Sequence, residues 1–303
     1  MPIQNIALIG ANGTLGPSVL SALLASKDFN ITILTRQSSQ STYPPSITVL
    51  RIPDPLPTAS LIQALTGQDA LITTFAGTNA DLQIRLADAA ATAGVKRFIP
   101  ADFGSCDSSS PKALELIPMY AGKKRVREHL QGLAERGELS WTSVVCGHFF
   151  DYGLKGELLS VDLRERRMKV FDGGDGRWSA STLSRVGEAV VRILQKEAET
   201  RNRMLYVQSF CVSQNEVLRS LKRVTGEEWE VEQVSSEKFI AEMKAVLDGE
   251  PSEEEKSRAS EALVSVAGII DADWEGKQGF ANRLLGLEEE NLDQVVERVV
   301  AEL

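Results

Sequence analysis

The sequence predicts an α/β fold, a doubly wound parallel sheet followed by a smaller C-terminal α+β domain, and three observations predict it. Short continuous apolar runs, such as Ile6-Ala7-Leu8-Ile9, have the pattern of strands buried on both faces. They alternate with segments whose apolar residues recur at helical spacing, as parallel crossovers require. The alternation holds to about residue 150 and then changes. Residues 1–152 are therefore assigned to the sheet-forming domain. Residues 153–303 mainly form the second, with part of 180–210 expected to return to the first sheet.

The first strand, from Asn5, leads into a glycine-rich turn, and Pro17 to Ser26 then carries Val19, Leu20, Leu23 and Leu24 at helical spacing. Asn30 to Leu34 is a β-branched run that completes a βαβ unit. Further strands are expected at 47–52, 70–75, 96–100 and 141–146, and helices at 58–65, 81–93 and 117–136. Gly94 caps the alanine-rich helix before it. Later, 164–167 reads as a charged turn, 172–176 as a loop, 186–196 as an amphipathic helix and 205–207 as a late strand. A helix at 214–224 and a strand at 229–234 follow. Residues 235–303 read as surface helices, with 249–260 as a mobile connection.

The 303 residues are 43% hydrophobic and 25% charged, a balance that supports a sizeable core. Lys and Arg total 33 against 42 Asp and Glu, and the net charge of -9 offers no basic footprint for nucleic acid. Cys106, Cys146 and Cys211 are scattered and the only histidines are His129 and His148, so neither a disulfide framework nor a zinc site is legible. No apolar stretch approaches the ~20 residues of a membrane span, and a cytoplasmic location is expected. The oligomeric state is left open, a homodimer included.

Gly10-Ala11-Asn12-Gly13-Thr14-Leu15-Gly16 places three glycines between a strand and a helix, where backbone amides can approach a pyrophosphate. This is the setting of a Rossmann nucleotide site, and Gly10, Asn12, Gly13, Thr14, Leu15 and Gly16 are its candidates. The second strand ends in Thr35-Arg36-Gln37-Ser38-Ser39, with Arg36 where an acidic residue would select NAD. A guanidinium there forks onto phosphate oxygens, so NADPH is the expected cofactor. Thr74-Phe75-Ala76-Gly77-Thr78 should lie over the adenosine and pyrophosphate side, with Phe75, Ala76 and Gly77 close to the nucleotide. Asp54 could accept from adenine or serve a turn.

With these motifs and Ala93-Gly94-Val95-Lys96-Arg97-Phe98-Ile99-Pro100-Ala101-Asp102-Phe103-Gly104, the chain resembles the NmrA-like, isoflavone-reductase-like branch of the atypical short-chain dehydrogenases, especially its fungal members. The resemblance covers about the first 155 residues. It implies a catalytic lysine in a pattern like K-x-K-[IV]-R-R, which falls on Lys123 in Lys123-Lys124-Arg125-Val126-Arg127-Glu128, with Glu128 departing from the pattern. Tyr120 and Lys124 also fit the Y-x-x-x-K spacing of the wider superfamily, so Lys124 competes with Lys123. Tyr120 is a candidate acid or a packing ring. In Cys146-Gly147-His148-Phe149-Phe150-Asp151-Tyr152, Gly147 would let backbone approach the nicotinamide, Phe149 or Phe150 would wall the pocket, and His148 is a candidate proton donor or a structural histidine. Cys146 reads as core. Trp178 and Tyr152 are candidate pocket aromatics, with core packing the better reading of each taken singly. The resemblance implies an NADPH-dependent reductase of a medium-sized, aromatic or polyketide-like small molecule. Its alternative is a non-catalytic NADP(H) sensor of the NmrA type.

Overall fold

The structure, a computed structural model, describes residues 2–303. In the first half the elements are β1 (Asn5–Ile9), α1 (Gly16–Ser26), β2 (Asn30–Arg36), β3 (Thr48–Ile52), α2 (Thr58–Leu65), β4 (Ala70–Thr73), α3 (Ala80–Thr92), β5 (Arg97–Ile99), α4 (Pro111–Leu116), α5 (Tyr120–Glu135) and β6 (Ser140–Val145). Next come β7 (His148–Phe149), α6 (Phe150–Lys155), β8 (Val161–Asp162), β9 (Arg167–Phe171), β10 (Arg177–Ser181), α7 (Leu183–Gln195), α8 (Glu197–Thr200) and β11 (Arg203–Tyr206). The chain closes with β12 (Phe210–Ser213), α9 (Gln214–Thr225), β13 (Glu230–Val234), α10 (Ser236–Asp248), α11 (Glu253–Ile270), α12 (Asn282–Leu285) and α13 (Leu292–Val300).

Seven parallel strands form the main sheet in the order β3-β2-β1-β4-β5-β6-β11. Helices α1 and α7 bury Val19, Leu23, Val190 and Leu194 on one face. On the other, α2, α3 and α5 bury Leu61, Leu65, Leu86 and Leu130. The winding direction reverses between β1 and β4, which opens a crevice at the carboxyl ends of those strands.

Strand β11 reaches the sheet edge late in the chain, and Arg97 helps hold that edge. Its guanidinium is fully buried and donates to Ser140 Oγ (3.0 Å), Thr142 Oγ1 (2.8 Å), Thr200 Oγ1 (3.1 Å) and the Glu197 carbonyl (2.8 Å). Burial pulls its pKa down to about 10.

Two three-stranded sheets, β12-β10-β7 and β13-β9-β8, build the smaller part. The expected turn at 164–167 and loop at 172–176 are therefore connections between short strands. Their two-to-five-residue lengths leave too little alternation to read. The expected surface helices of 235–303 also need correction. Helix α11 buries Ala259, Leu263, Val266, Ala267 and Ile269. Of 249–260, only 249–252 are an irregular connection: Ser252 and Glu255 form a reciprocal capping box that starts α11 at Glu253.

Gly147 joins the two parts. Its φ is +70°, and a Cβ there would lie 2.0 Å from the Ser179 carbonyl oxygen on β10. The protein's own backbone thus demands a glycine at 147. Gly147→Ala is expected to lower stability by at least ~2 kcal/mol, read by urea unfolding; a wild-type midpoint would contradict this packing.

Candidate active site

At the crevice, the glycine turn folds onto itself and onto the end of β4. Gly10 has φ +90°, and a Cβ on it would sit 2.5 Å from the Phe75 nitrogen. A Cβ on Gly16 would meet the Gly10 carbonyl oxygen at 2.1 Å. The Gly13 amide closes the turn on that same oxygen at 2.9 Å. Helix α1 begins at Gly16 with no side chain capping its first amides, while Asn12, Gly13 and Thr14 are exposed in front of it. Pro17 carries no amide hydrogen and the Ser18 amide donates to the Leu15 carbonyl at 3.1 Å, so the donors on offer here are the turn's own amides up to Gly16, which fit a dinucleotide pyrophosphate. Leu15 is buried in the core, so only its backbone can take part.

Arg36 ends β2 with its side chain exposed, and it makes no side-chain hydrogen bond or ion pair among the described residues. The Ser38 amide donates to Asp54 Oδ2 at 3.1 Å. Asp54 thus ties the turn after β2 to the end of β3, the turn role. Arg51 donates to the Ser39 carbonyl (2.6 Å) and steadies the same loop.

Across the crevice, α5 presents Lys123. The residue is 9% exposed, its Nζ donates to the Asp102 carbonyl, and it stands 4.7 Å from the centre of the Tyr120 ring. Gly77 makes room for it, because a Cβ there would lie 2.9 Å from Lys123 Cε and 2.6 Å from the Ala101 carbonyl oxygen. Ala76 is exposed beside it and Phe75 is half-buried. Burial pulls the Lys123 pKa below the ordinary lysine range, with the Asp102 charge opposing it. Lys124, one step round the helix, has a side chain 44% exposed and faces Glu128 at 3.8 Å. Tyr120 is buried, and its hydroxyl accepts from the Ser105 amide (3.1 Å) and bonds to Ser105 Oγ (3.0 Å). Burial raises its pKa.

The structure also adds residues to the site that sequence reasoning missed. Arg127, four positions after Lys123, is buried and pairs with Asp102 Oδ2 (2.5 Å) and Asp107 Oδ1 (2.9 Å). Ser143 on β6 donates to Asp102 as well, and Tyr206 on β11 donates to Asp107 Oδ2 (2.9 Å). A signal existed: Tyr120, Lys123, Val126, Arg127, Leu130 and Leu133 share one buried face of α5, with two cations among apolar residues.

His148 is corrected from proton donor to structural histidine. Its Nε2 lies 2.9 Å from the Ser265 carbonyl on α11, its ring stands edge-on to Trp178, and a Cβ on Gly268 would collide with it at 2.3 Å. Burial pulls its pKa down to about 4, so at neutral pH its one proton is committed to that carbonyl. Trp178 and Phe150 stack in the core, the packing reading for Trp178 and a correction for Phe150 as a pocket wall, and Cys146 is buried. Phe149 is half-buried and Tyr152 is exposed.

Comparison with known proteins adds a family context. The model of the NmrA-like family matches residues 2–248. The chain is 35% identical to the oxidoreductase aprR of Aspergillus flavus, covering 97% of this chain and 98% of that one. It is 30% identical to the oxidoreductase poxI of Penicillium oxalicum, with 96% and 92% covered. Among solved structures, AtPrR2 with NADP+ and (+)pinoresinol superposes with a TM-score of 0.76 over 99% of both chains at 19% identity, which speaks to the fold.

The His148 contact has a pH consequence. Its folded-state pKa of about 4 lies below the unfolded value of 6.5, so the unfolded chain binds the proton first as pH falls. The stability it contributes is whole above pH ~6.5 and drains away toward pH ~4, by about 3 kcal/mol at most. In urea titrations from pH 7 to 4.5, a His148→Gln variant should lose less stability on acidification than the wild type. Parallel curves would contradict the buried neutral imidazole.

Proposed function

This chain belongs to the NmrA-like family, and we propose from that premise that it is an NADPH-dependent reductase of a medium-sized aromatic or polyketide-like small molecule. The observation that carries the reading is Lys123: a buried, solvent-shielded ammonium at the carboxyl edge of the sheet, across the switch-point crevice from an uncapped helix and a glycine turn. NADPH, when bound, supplies the hydride.

The remaining work falls to residues of the chain. Amides of the 10–16 turn hold the pyrophosphate, and Arg36 takes the 2′-phosphate with a guanidinium that no carboxylate claims. Gly77 leaves the space in which Lys123 meets the nicotinamide ribose. Lys123 orients the cofactor and holds the proton delivered to the substrate, and its lowered pKa eases that release near neutral pH. Tyr120 serves as the ring beneath the ammonium, because its hydroxyl is engaged by Ser105. The substrate class is supported by the relatives: the solved structure of AtPrR2 carries pinoresinol, and the fungal relatives are oxidoreductases.

Calorimetric titration tests the cofactor half of the reading. NADPH should bind at least tenfold more tightly than NADH, about 1.4 kcal/mol, and Arg36→Ala should erase most of that gap while sparing NADH. Equal affinities in the wild type would contradict it. Oxidation of NADPH with a panel of enones, ketones and benzylic ethers supports the reductase. Tight binding without consumption supports a sensor instead.

A further inference from the structure

Helix α5 carries two cations inward, and only one of them meets carboxylates. Arg127 is held by Asp102 and Asp107, with Ser108 Oγ at 2.9 Å and Ser109 Oγ at 3.3 Å completing its shell. Among the described residues Lys123 has no carboxylate within ion-pair distance, and its Nζ rests on the main-chain oxygen of Asp102. The same residue therefore serves both cations, Lys123 through its backbone and Arg127 through its side chain. The Asp102–Arg127 pair is also one-sided: Nη2 meets Oδ2, while Asp102 Oδ1 and Arg127 Nε are buried without partners. A forked pair would cancel the carboxylate more fully toward its surroundings, whereas this one leaves Asp102 Oδ1 buried and uncompensated.

We propose that Asp102 and Arg127 are positioning residues for Lys123: Arg127 and Ser143 clamp the Asp102 carboxylate, and Asp102 supplies Lys123 with both its hydrogen-bond acceptor and its balancing charge. The proposal deepens the reductase reading, since it concerns the lysine of that site. The groups facing Lys123 are few. Tyr120 and Arg127 lie on its own helix, Asp102 and Cys106 follow β5, and Cys146 follows β6. The Gly77 loop contributes none. Both cysteines have thiols pushed up by burial, to about 11 and about 12, so at neutral pH Asp102 is the one anion in the set.

The test reads Lys123 directly, on the free full-length protein. Lysine side chains are isotope-labelled for NMR, the Lys123 signal is assigned by its loss in Lys123→Arg, and its titration midpoint is followed. Asp102→Asn removes the anion and should move the midpoint down by at least about one pH unit. Arg127→Met removes the competing cation and should move it up. Asp102→Glu should keep the midpoint near that of the wild type. Opposite movements are the signature, because a merely structural pair would give no sign reversal. Unchanged midpoints, or movement in the same direction, overturn the proposal. If one variant fails to fold, the direction in the other decides. No cofactor or substrate enters the measurement, so its outcome stands apart from whether the chain consumes NADPH.

Discussion

Burying the charges of Lys123 and Arg127 on one face of α5 is the constraint around which this end of the molecule is arranged. A cation taken out of water costs several kcal/mol unless the protein supplies oxygen ligands and opposite charge. The segment after β5 does so: Asp102, Asp107, Ser108 and Ser109 all turn toward Arg127, and Asp102 turns its carbonyl toward Lys123. Because Asp102 also takes the Ser143 hydroxyl and Asp107 that of Tyr206, the arrangement ties α5 to β6 and β11. One network thus orders the helix, the loop and the sheet edge together.

Opposite this charged wall stands a wall made by omission. Side chains are missing at positions 10, 13 and 16, so the turn after β1 packs backbone against backbone and keeps Asn12, Gly13 and Thr14 exposed in front of α1. Gly77 repeats the device for Lys123. The parallel topology brings the two walls to the same edge, since β1, β4 and β5 are adjacent and run in one direction. Amides of the turn on one side and a sheltered ammonium on the other are the two features on which the proposed cofactor binding and hydride transfer rest.

Legibility in the sequence followed the strength of local signals. Strands buried on both faces, such as Asn5–Ile9 and Ala70–Thr73, announce themselves as apolar runs, and the glycine spacing announces the turn between them and their helices. The small sheets were not legible because β7, β8 and β12 are two to four residues long and gain their partners from distant sequence. The connection expected over 249–260 came out too long for a different reason: three glutamates suggested solvent, yet they occupy the first turn of α11, where acidic residues suit the helix dipole. Lys123 could be nominated from its pattern but not separated from Lys124, because only the helix's rotation decides which ammonium goes inside. Arg127 and Asp102 went unnoticed since their pairing spans twenty-five positions and closes only in the folded chain.

Steady-state NADPH oxidation by Lys123→Ala, Lys124→Ala and Tyr120→Phe, on a substrate found among those tested and with folding verified by circular dichroism, tests the central claim most directly. The inward placement of Lys123 leads us to expect kcat to fall by about 10²–10⁴-fold in its variant, with Lys124→Ala close to wild type and Tyr120→Phe retaining most activity. If Lys124→Ala and Tyr120→Phe abolished turnover while Lys123→Ala remained active, the account would be contradicted.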